Sequence, residues 1–256
     1  MSSVLPRDQS PHQFALFVPA MQPVDNRLRI TDNDTVKRMT KVLRLTVGDR
    51  CILFDTTHHM CVVVDNIHKT YIECTVENKV RNQVFKPSVT ILLPVLKQDD
   101  LGDAVSMLTA CGVSIIQLVY TQRTHRIPWT AHVMARLNRL IIAAAEQSKC
   151  FSMPVLREPI PLENYIHAAS SLLNKSTVIF FDPLGVPLTQ MIQSMRATAS
   201  TNFVLIVGPE ADLTVEEKKM LRAYGAHHCA LTPTILRASL AAAIGVGIFR
   251  SITYQV

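Results

Sequence analysis

The segment Phe203–Asp212 (FVLIVGPEAD) limits the folds open to this chain more than any other. Its five consecutive apolar residues, Phe203 to Val207, predict a strand buried on both faces, as in a parallel sheet covered by helices. Gly208-Pro209-Glu210 stops the strand. Thr214 and Glu217 then stand at the spacing of a capping box, ahead of Met220, Leu221 and Tyr224 on one helical face. Strand, turn and capped helix in this order place Gly208–Leu213 at the carboxyl end of a parallel strand, where open α/β sheets bind ligands. The same residues also read as a tight βα loop without a ligand, and the segment alone leaves both readings open.

The neighbouring sequence continues the rhythm. Val89–Val95 predicts a strand, and Leu101, Ala104, Val105 and Leu108 form the face of a helix ending at Gly112. Ile115–Tyr120 is the next strand, and Leu137, Leu140, Ile141, Ala144 and Ala145 mark an amphipathic helix. Strands follow at Val178–Phe181, ending at Asp182-Pro183, and at Cys229–Leu231. An apolar helix over Ala238–Ile252 closes the chain. Alternating β and α elements predict a parallel α/β domain.

The first third is written differently. Phe14–Val18, Cys51–Asp55, Cys61–Val64 and Tyr71–Val76 are short runs rich in Val, Ile, Phe and Thr, predicting a small antiparallel barrel or sandwich. A helix is expected at Asp34–Leu43, with Val36, Met39, Val42 and Leu43 at helical spacing. Around it stand Arg27, Arg29, Lys37, Arg38, Lys41, Arg44 and Arg50, against Asp25, Asp32, Asp34 and Asp49. Such a cluster reads as a solvated face or as a contact for RNA phosphates. The polar stretch Asn78–Ser88 is the expected linker. The domains are therefore drawn as 1–80 and 86–256.

With 256 residues and 48% hydrophobic content the chain can bury a sizeable core. No apolar run approaches the roughly 20 residues that span a bilayer, and MSSVLPRDQSPHQ lacks the order of a secretion signal. No membrane and a cytoplasmic location are the expectation. The six cysteines are scattered without ligand spacing, so reduced thiols and no metal are expected. The net charge of +6 is compatible with a nucleic-acid partner. Neither a nucleotide-binding glycine loop nor a serine-hydrolase elbow occurs.

Three segments follow strand ends in the α/β part: Asp182–Leu188, Gly208–Leu213 and Thr232–Arg237. They are apolar and carry Pro183, Pro187, Pro209 and Pro233. Such loops suit an aromatic ring and a neutral or cationic tail held by backbone hydrogen bonds, as in adenosine bearing a sulfonium group. Arg237, between Ile235-Leu236 and the last helix, reads either as a salt bridge closing the helix junction, to Glu210 or Glu146, or as a cation held toward a polyanion.

IVGPEADLTVEE followed by LTPTILRASLAAA resembles the IGPEGG…E and LG-x-R-[IV]-LR-x-ETA signatures of the small-subunit (16S) rRNA uridine-N3 methyltransferases. These are the RsmE-type enzymes of the trefoil-knotted SPOUT superfamily. Arg136–Ser148 (RLNRLIIAAAEQS) is similar to the family's R-x-x-[KR]-I-x-x-A-A-E-Q-S helix. Lys41–Arg44 (KVLR) with Val47-Gly48-Asp49 resembles the VLR…GD segment of its N-terminal PUA-like β-barrel. These segments run in family order along nearly the whole chain. Departures fall at Ala211 and Asp212, where the family has glycines, at Thr234 in place of an arginine, and at Ser239 in place of a glutamate. Ala110-Cys111-Gly112 stands for ELG.

The resemblance implies a C-terminal α/β SPOUT-type domain with a trefoil knot after a PUA-like barrel that binds RNA. It implies S-adenosyl-L-methionine as cofactor, 16S rRNA within the small ribosomal subunit as substrate, and a homodimer. The residues implied to bind the cofactor are Phe181, Asp182, Pro183, Ile206, Val207, Gly208, Pro209, Glu210, Leu231, Pro233, Ile235 and Leu236. Arg237 is implied as catalytic, and Arg29, Lys41, Arg44, Lys97 and Arg123 as RNA-binding. Glu146 and Gln147 are expected to give structural support. The departures leave two rivals: an RNA-binding relative without efficient turnover, and a methyltransferase of the same fold with another RNA target, such as a ribose 2′-hydroxyl.

Overall fold

The computed structural model describes residues 13–124, 128–168, 176–195 and 202–253. The described residues divide into two compact units, one made by residues 13–84 with 145–152 and the other by 85–144 with those between 153 and 253.

The first unit is a five-stranded sheet of β1 (Ala15–Phe17), β2 (Arg27–Ile30), β3 (Arg50–Phe54), β4 (His58–Ile67) and β5 (Ile72–Arg81), in the order β1-β3-β4-β5-β2. β1 and β3 are parallel, and the other neighbours are antiparallel. Alternating positions fill the core, among them Leu28 and Ile30 of β2, Val62 and Val64 of β4, and Ile72 and Cys74 of β5. β2 was not expected. Its arginines read as part of a basic cluster, whereas Leu28 and Ile30 between them mark a half-buried strand. The sheet also supplies carboxylates outside that cluster: Arg29 pairs with Glu73 at 2.6 Å and Arg50 with Glu77 at 2.9 Å.

The helix expected at Asp34–Leu43 is two pieces, α1 (Asn33–Lys37) and a π-helical turn (Arg38–Val42). Asp32 caps α1 by accepting the Thr35 N–H at 2.8 Å. The wider turn closes with the Leu43 N–H on the Arg38 carbonyl, and Val36 and Met39 both enter the core. The linker expected at Asn78–Ser88 is shorter, because Asn78 and Arg81 are still paired with Cys61 and His58 of β4. Burial pushes the Cys51 and Cys74 thiols up to about 12, so both stay protonated.

The second unit is a six-stranded sheet of β6 (Ser88–Pro94), β7 (Ile115–Tyr120), β8 (Val155–Pro161), β9 (Thr177–Pro187), β10 (Asn202–Val207) and β11 (His227–Ala230). The order is β11-β9-β10-β6-β7-β8, and every neighbouring pair is parallel. Between the strands run α2 (Gln98–Ala110), α3 (Ala131–Ser148), α4 (Leu162–Ala168), α5 (Leu188–Met195), α6 (Val215–Ala223) and α7 (Ala238–Thr253).

β10 is buried on both faces, as its apolar run predicts. Phe203, Leu205 and Val207 join one core layer with Val105 and Leu108 of α2 and Val246 and Phe249 of α7. Val204 and Ile206 join the opposite layer with Ile166 of α4 and Leu221 of α6. Period-two alternation with both faces covered leaves no polar position from Phe203 to Val207.

β8 and α4 were not expected. β8 is an edge strand (VLREPIP) with mostly exposed side chains and two prolines, so it carries no apolar signal. The open loop expected at Asp182–Leu188 is a correction of a different kind. β9 continues through Pro187 and α5 begins at Leu188. The pairing with β11 jumps from Phe180↔His228 to Val186↔Cys229, so residues 181–185 form a bulge inside the strand. A Cβ at Gly185 would overlap the His228 carbonyl, which is why the bulge closes only on glycine.

Candidate functional site

In a parallel sheet all carboxyl ends lie along one edge, so the register alone gathers this site. Val207 of β10 pairs with Phe181 of β9, which brings Gly208 beside Asp182. Leu231 follows β11, the other neighbour of β9. Lys97 follows β6 and Arg123 follows β7, on the same edge.

The Gly208–Leu213 turn is held from several sides. The Asp212 N–H closes it on the Pro209 carbonyl at 2.8 Å. Asp212 has φ +61°, a left-handed backbone that Asp tolerates better than most residues. Its carboxylate accepts the Leu213 N–H at 2.7 Å and pairs with Lys218 Nζ at 2.7 Å. Arg123 Nη1 donates to the Ala211 carbonyl at 2.6 Å. Glu217 completes the capping box with Thr214, as expected from its spacing, and its second oxygen accepts the Gln122 N–H at 2.9 Å. The turn after β10, the loop after β7 and the start of α6 are thereby one hydrogen-bonded body.

Lys218 also reaches Asp182 at 3.4 Å, and His228 Nδ1 lies 3.1 Å from the same carboxylate oxygen. The other Asp182 oxygen accepts the Leu184 N–H at 3.1 Å. Burial pushes the Asp182 carboxyl up, but the Leu184 N–H, His228 and Lys218 outweigh it and hold it below the usual carboxylate range. Burial likewise lowers Lys218, and Asp212 and Asp182 reverse that and hold it above the ordinary lysine value.

The other residues singled out in the sequence fall into distinct environments. Phe181, Ile206 and Val207 have buried side chains, so only their peptide groups can serve a ligand. Gly208, Pro209, Leu231 and Leu236 are half-buried, and Pro183, Glu210 and Pro233 are exposed. Large apolar side chains stand in solvent along this edge: Leu184 is 93% exposed and Ile235 84%. Arg237 is exposed, its carbonyl accepts the Ala241 N–H at the start of α7, and its guanidinium has no hydrogen-bond or ion-pair partner among the described residues. The bridge from Arg237 to Glu210 or Glu146 is therefore absent. Glu146 instead takes the Phe17 N–H at 2.9 Å and both terminal nitrogens of Arg38, one at 3.0 Å, a supporting role within the first unit.

Of the expected RNA contacts, Lys97 is exposed at the start of α2. Arg123 is committed in part to Ala211. In the first unit, Arg29 is paired with Glu73 and lies over the Tyr71 ring at 4.6 Å, while Lys41 and Arg44 are exposed. Lys218 and Gln122 were missed, because neither belongs to a motif. The only sequence hint for Lys218 is its place one residue after the capping glutamate. Among the described residues no group of His, Cys, Asp and Glu could hold a metal ion, and no helix is long and apolar enough to cross a membrane.

A parallel α/β unit with polar and exposed apolar groups gathered on the carboxyl edge has the architecture in which open α/β sheets bind ligands. The model of the RNA methyltransferase domain matches residues 85–250, and the chain belongs to that family. It is 23% identical over 230 residues to Ribosomal RNA small subunit methyltransferase E of Rickettsia conorii, spanning 89% of this chain and 91% of the relative. It is 24% identical over 246 residues to the protein of that name from Mycobacterium bovis, spanning 91% and 89%. Its fold is similar to the crystal structure of a Ribosomal RNA small subunit methyltransferase E from Neisseria gonorrhoeae bound to S-adenosyl methionine. There the TM-score is 0.80 at 21% identity, with 94% of this chain and 98% of that one covered.

Proposed function

We propose that this protein transfers a methyl group from S-adenosylmethionine to N3 of a uridine in small-subunit (16S) rRNA. The observation that carries this reading is the Arg237 guanidinium, unpartnered among the described residues, on the same sheet edge as a hydrogen-bonded turn and exposed apolar side chains. The relatives named above have this activity class in their names, and one of them was crystallised with the cofactor.

The residues of the edge fit that cofactor. Leu184 and Ile235 offer exposed apolar surface to an adenine ring. The peptide groups of residues 208–213 and 231–236 lie outside helix and strand, and those that the turn's own hydrogen bonds do not use can bind polar atoms. Glu210 is an exposed carboxylate suited to ribose hydroxyls or a cationic tail. The cofactor set is Phe181, Asp182, Pro183, Ile206, Val207, Gly208, Pro209, Glu210, Leu231, Pro233, Ile235 and Leu236, of which the buried members act through the backbone.

When bound, S-adenosylmethionine supplies an electrophilic methyl group. The chain's own task is to make uridine N3 nucleophilic, since N3 reacts poorly until its proton leaves. Arg237 stabilises the negative charge that develops on the flanking carbonyl oxygens, as an oxyanion site does. Lys97 and the free N–H groups of Arg123 hold RNA phosphates and fix the base, which contributes through orientation. On the first unit, read as the PUA-like barrel over residues 1–80, Arg29, Lys41 and Arg44 contact RNA. Residues 86–256 are read as a SPOUT domain with a trefoil knot, acting as a homodimer in the cytoplasm.

The left-handed Asp212 speaks against the non-catalytic rival, because the turn keeps a glycine-like backbone despite the substitution. Arg237→Ala is expected to lower methyl transfer to isolated small subunits at least a hundredfold while cofactor affinity stays within threefold. Mass spectrometry of rRNA from a strain lacking the gene is expected to show loss of one N3-methyluridine. An unchanged modification map, or full transfer by the variant, overturns the reading.

A further inference from the structure

Lys218 is a half-buried cation at this edge, and no motif predicts it. Its side chain is 16% exposed and lies between two carboxylates, Asp212 at 2.7 Å and Asp182 at 3.4 Å. The nearer one belongs to a residue with φ +61°, where any Cβ brings steric cost. A free aspartate at such a position can relax to an ordinary backbone. One clamped through Oδ2 to Lys218, and through Oδ1 to the Leu213 N–H, cannot relax without breaking both.

Lys218 stands in the second turn of α6, whose start is fixed by the Thr214–Glu217 capping box. The clamp is thus anchored to the capped start of a helix. Its second partner, Asp182, sits in the β9 bulge, which Gly185 packs against β11. The ammonium therefore ties the turn after β10 to the bulge in β9, the two segments whose peptide groups line the edge.

We propose that Lys218 is a positioning residue, whose ion pair with Asp212 holds residues 208–213 in the left-handed turn that a glycine would adopt unaided. The proposal rests on the reading of this turn as part of the cofactor site. Lys218 touches no substrate; it acts by keeping the peptide groups of the turn in place before anything binds. Preorganisation of this kind shows in ligand affinity, because an ordered turn needs no ordering on binding.

The test pairs calorimetric titration of S-adenosylmethionine with amide hydrogen exchange of the protein without added cofactor. Lys218→Met is expected to weaken cofactor binding about tenfold, and Lys218→Arg to stay within about threefold of wild type. In the same Lys218→Met protein the Asp212 amide, bonded to the Pro209 carbonyl, is expected to exchange about tenfold faster. The decisive variant is Asp212→Gly combined with Lys218→Met. Glycine needs no tether at φ > 0, so affinity returns to within about threefold of wild type. A purely structural role through Asp182 would not be rescued this way.

Persistent weak binding in the double variant overturns the proposal. So does Lys218→Met with unchanged affinity, or with unchanged exchange at Asp212. If wild-type protein binds no cofactor at millimolar concentration, the cofactor reading fails instead, and the exchange arm still decides whether Lys218 shapes the turn. Asp212→Asn, which removes the charge but retains tolerance of the left-handed region, repeats the exchange test if Lys218→Met does not fold.

Discussion

Replacing Glu217 tests whether the carboxyl edge is one hydrogen-bonded body. Glu217 is only 6% exposed, and its carboxylate accepts two backbone donors from different segments, Thr214 N–H at 2.8 Å and Gln122 N–H at 2.9 Å. A hydrogen bond to a charged group contributes about 1.5–3 kcal/mol. Glu217→Ala removes both acceptors and the first-turn charge, so a loss of about 3 kcal/mol is expected. Glu217→Gln keeps one acceptor oxygen and turns an amide donor toward the other N–H, so roughly half that loss is expected. With a urea m-value of about 2–3 kcal/mol/M, the alanine variant should move the midpoint down by about 1 M. The assay is equilibrium unfolding followed by fluorescence of Trp129, the single tryptophan, which packs against the core of the second unit. A loss below about 1 kcal/mol for alanine, or equal losses for alanine and glutamine, refutes the reasoning.

Two further outcomes concern the same unit. Asp182 is held below its ordinary value, so its contribution is full above the unfolded carboxylate pKa of about 4 and disappears as pH falls through the lower folded value. The stability difference between wild type and Asp182→Asn should therefore shrink as pH falls below about 4; a difference that persists to about pH 2 contradicts the ion-pair account. Gly245→Ala should reverse the usual helical preference for alanine. A Cβ there would overlap the ring of Phe181, which is buried and cannot swing away, so overpacking of about 1–3 kcal/mol outweighs a propensity gain near 1 kcal/mol. A raised thermal midpoint would show that the ring yields.

Much of the second unit could be read from the chain because its signals are local. Each of β6, β7, β9 and β10 begins within a residue of its apolar run, and the Thr214–Glu217 box starts α6 as its spacing predicts. β2 and β8 escaped because they lie at sheet edges. There one face meets water, and the arginines of RLRI and the prolines of VLREPIP hide the apolar minority. The basic cluster of the first unit was overcounted for a related reason. Glu73, Glu77 and Glu146, which neutralise Arg29, Arg50 and Arg38, are distant in sequence and meet them only through strand pairing and packing.

The sequence by itself determined that FVLIVGPEAD is a doubly covered strand leading into a turn and a capped helix, because hydrophobic periodicity and capping act over a few residues. It also carried the motif order that marks an RNA methyltransferase. Only the tertiary structure decided what becomes of the altered turn. Ala211 receives Arg123 from the loop after β7, and Asp212 receives Lys218 from α6, which in turn reaches Asp182 in a bulge of β9. Those partners come from separate segments, and parallel pairing brings strand ends together regardless of their distance along the chain. The electrostatics that hold the turn are therefore a property of the assembled sheet edge.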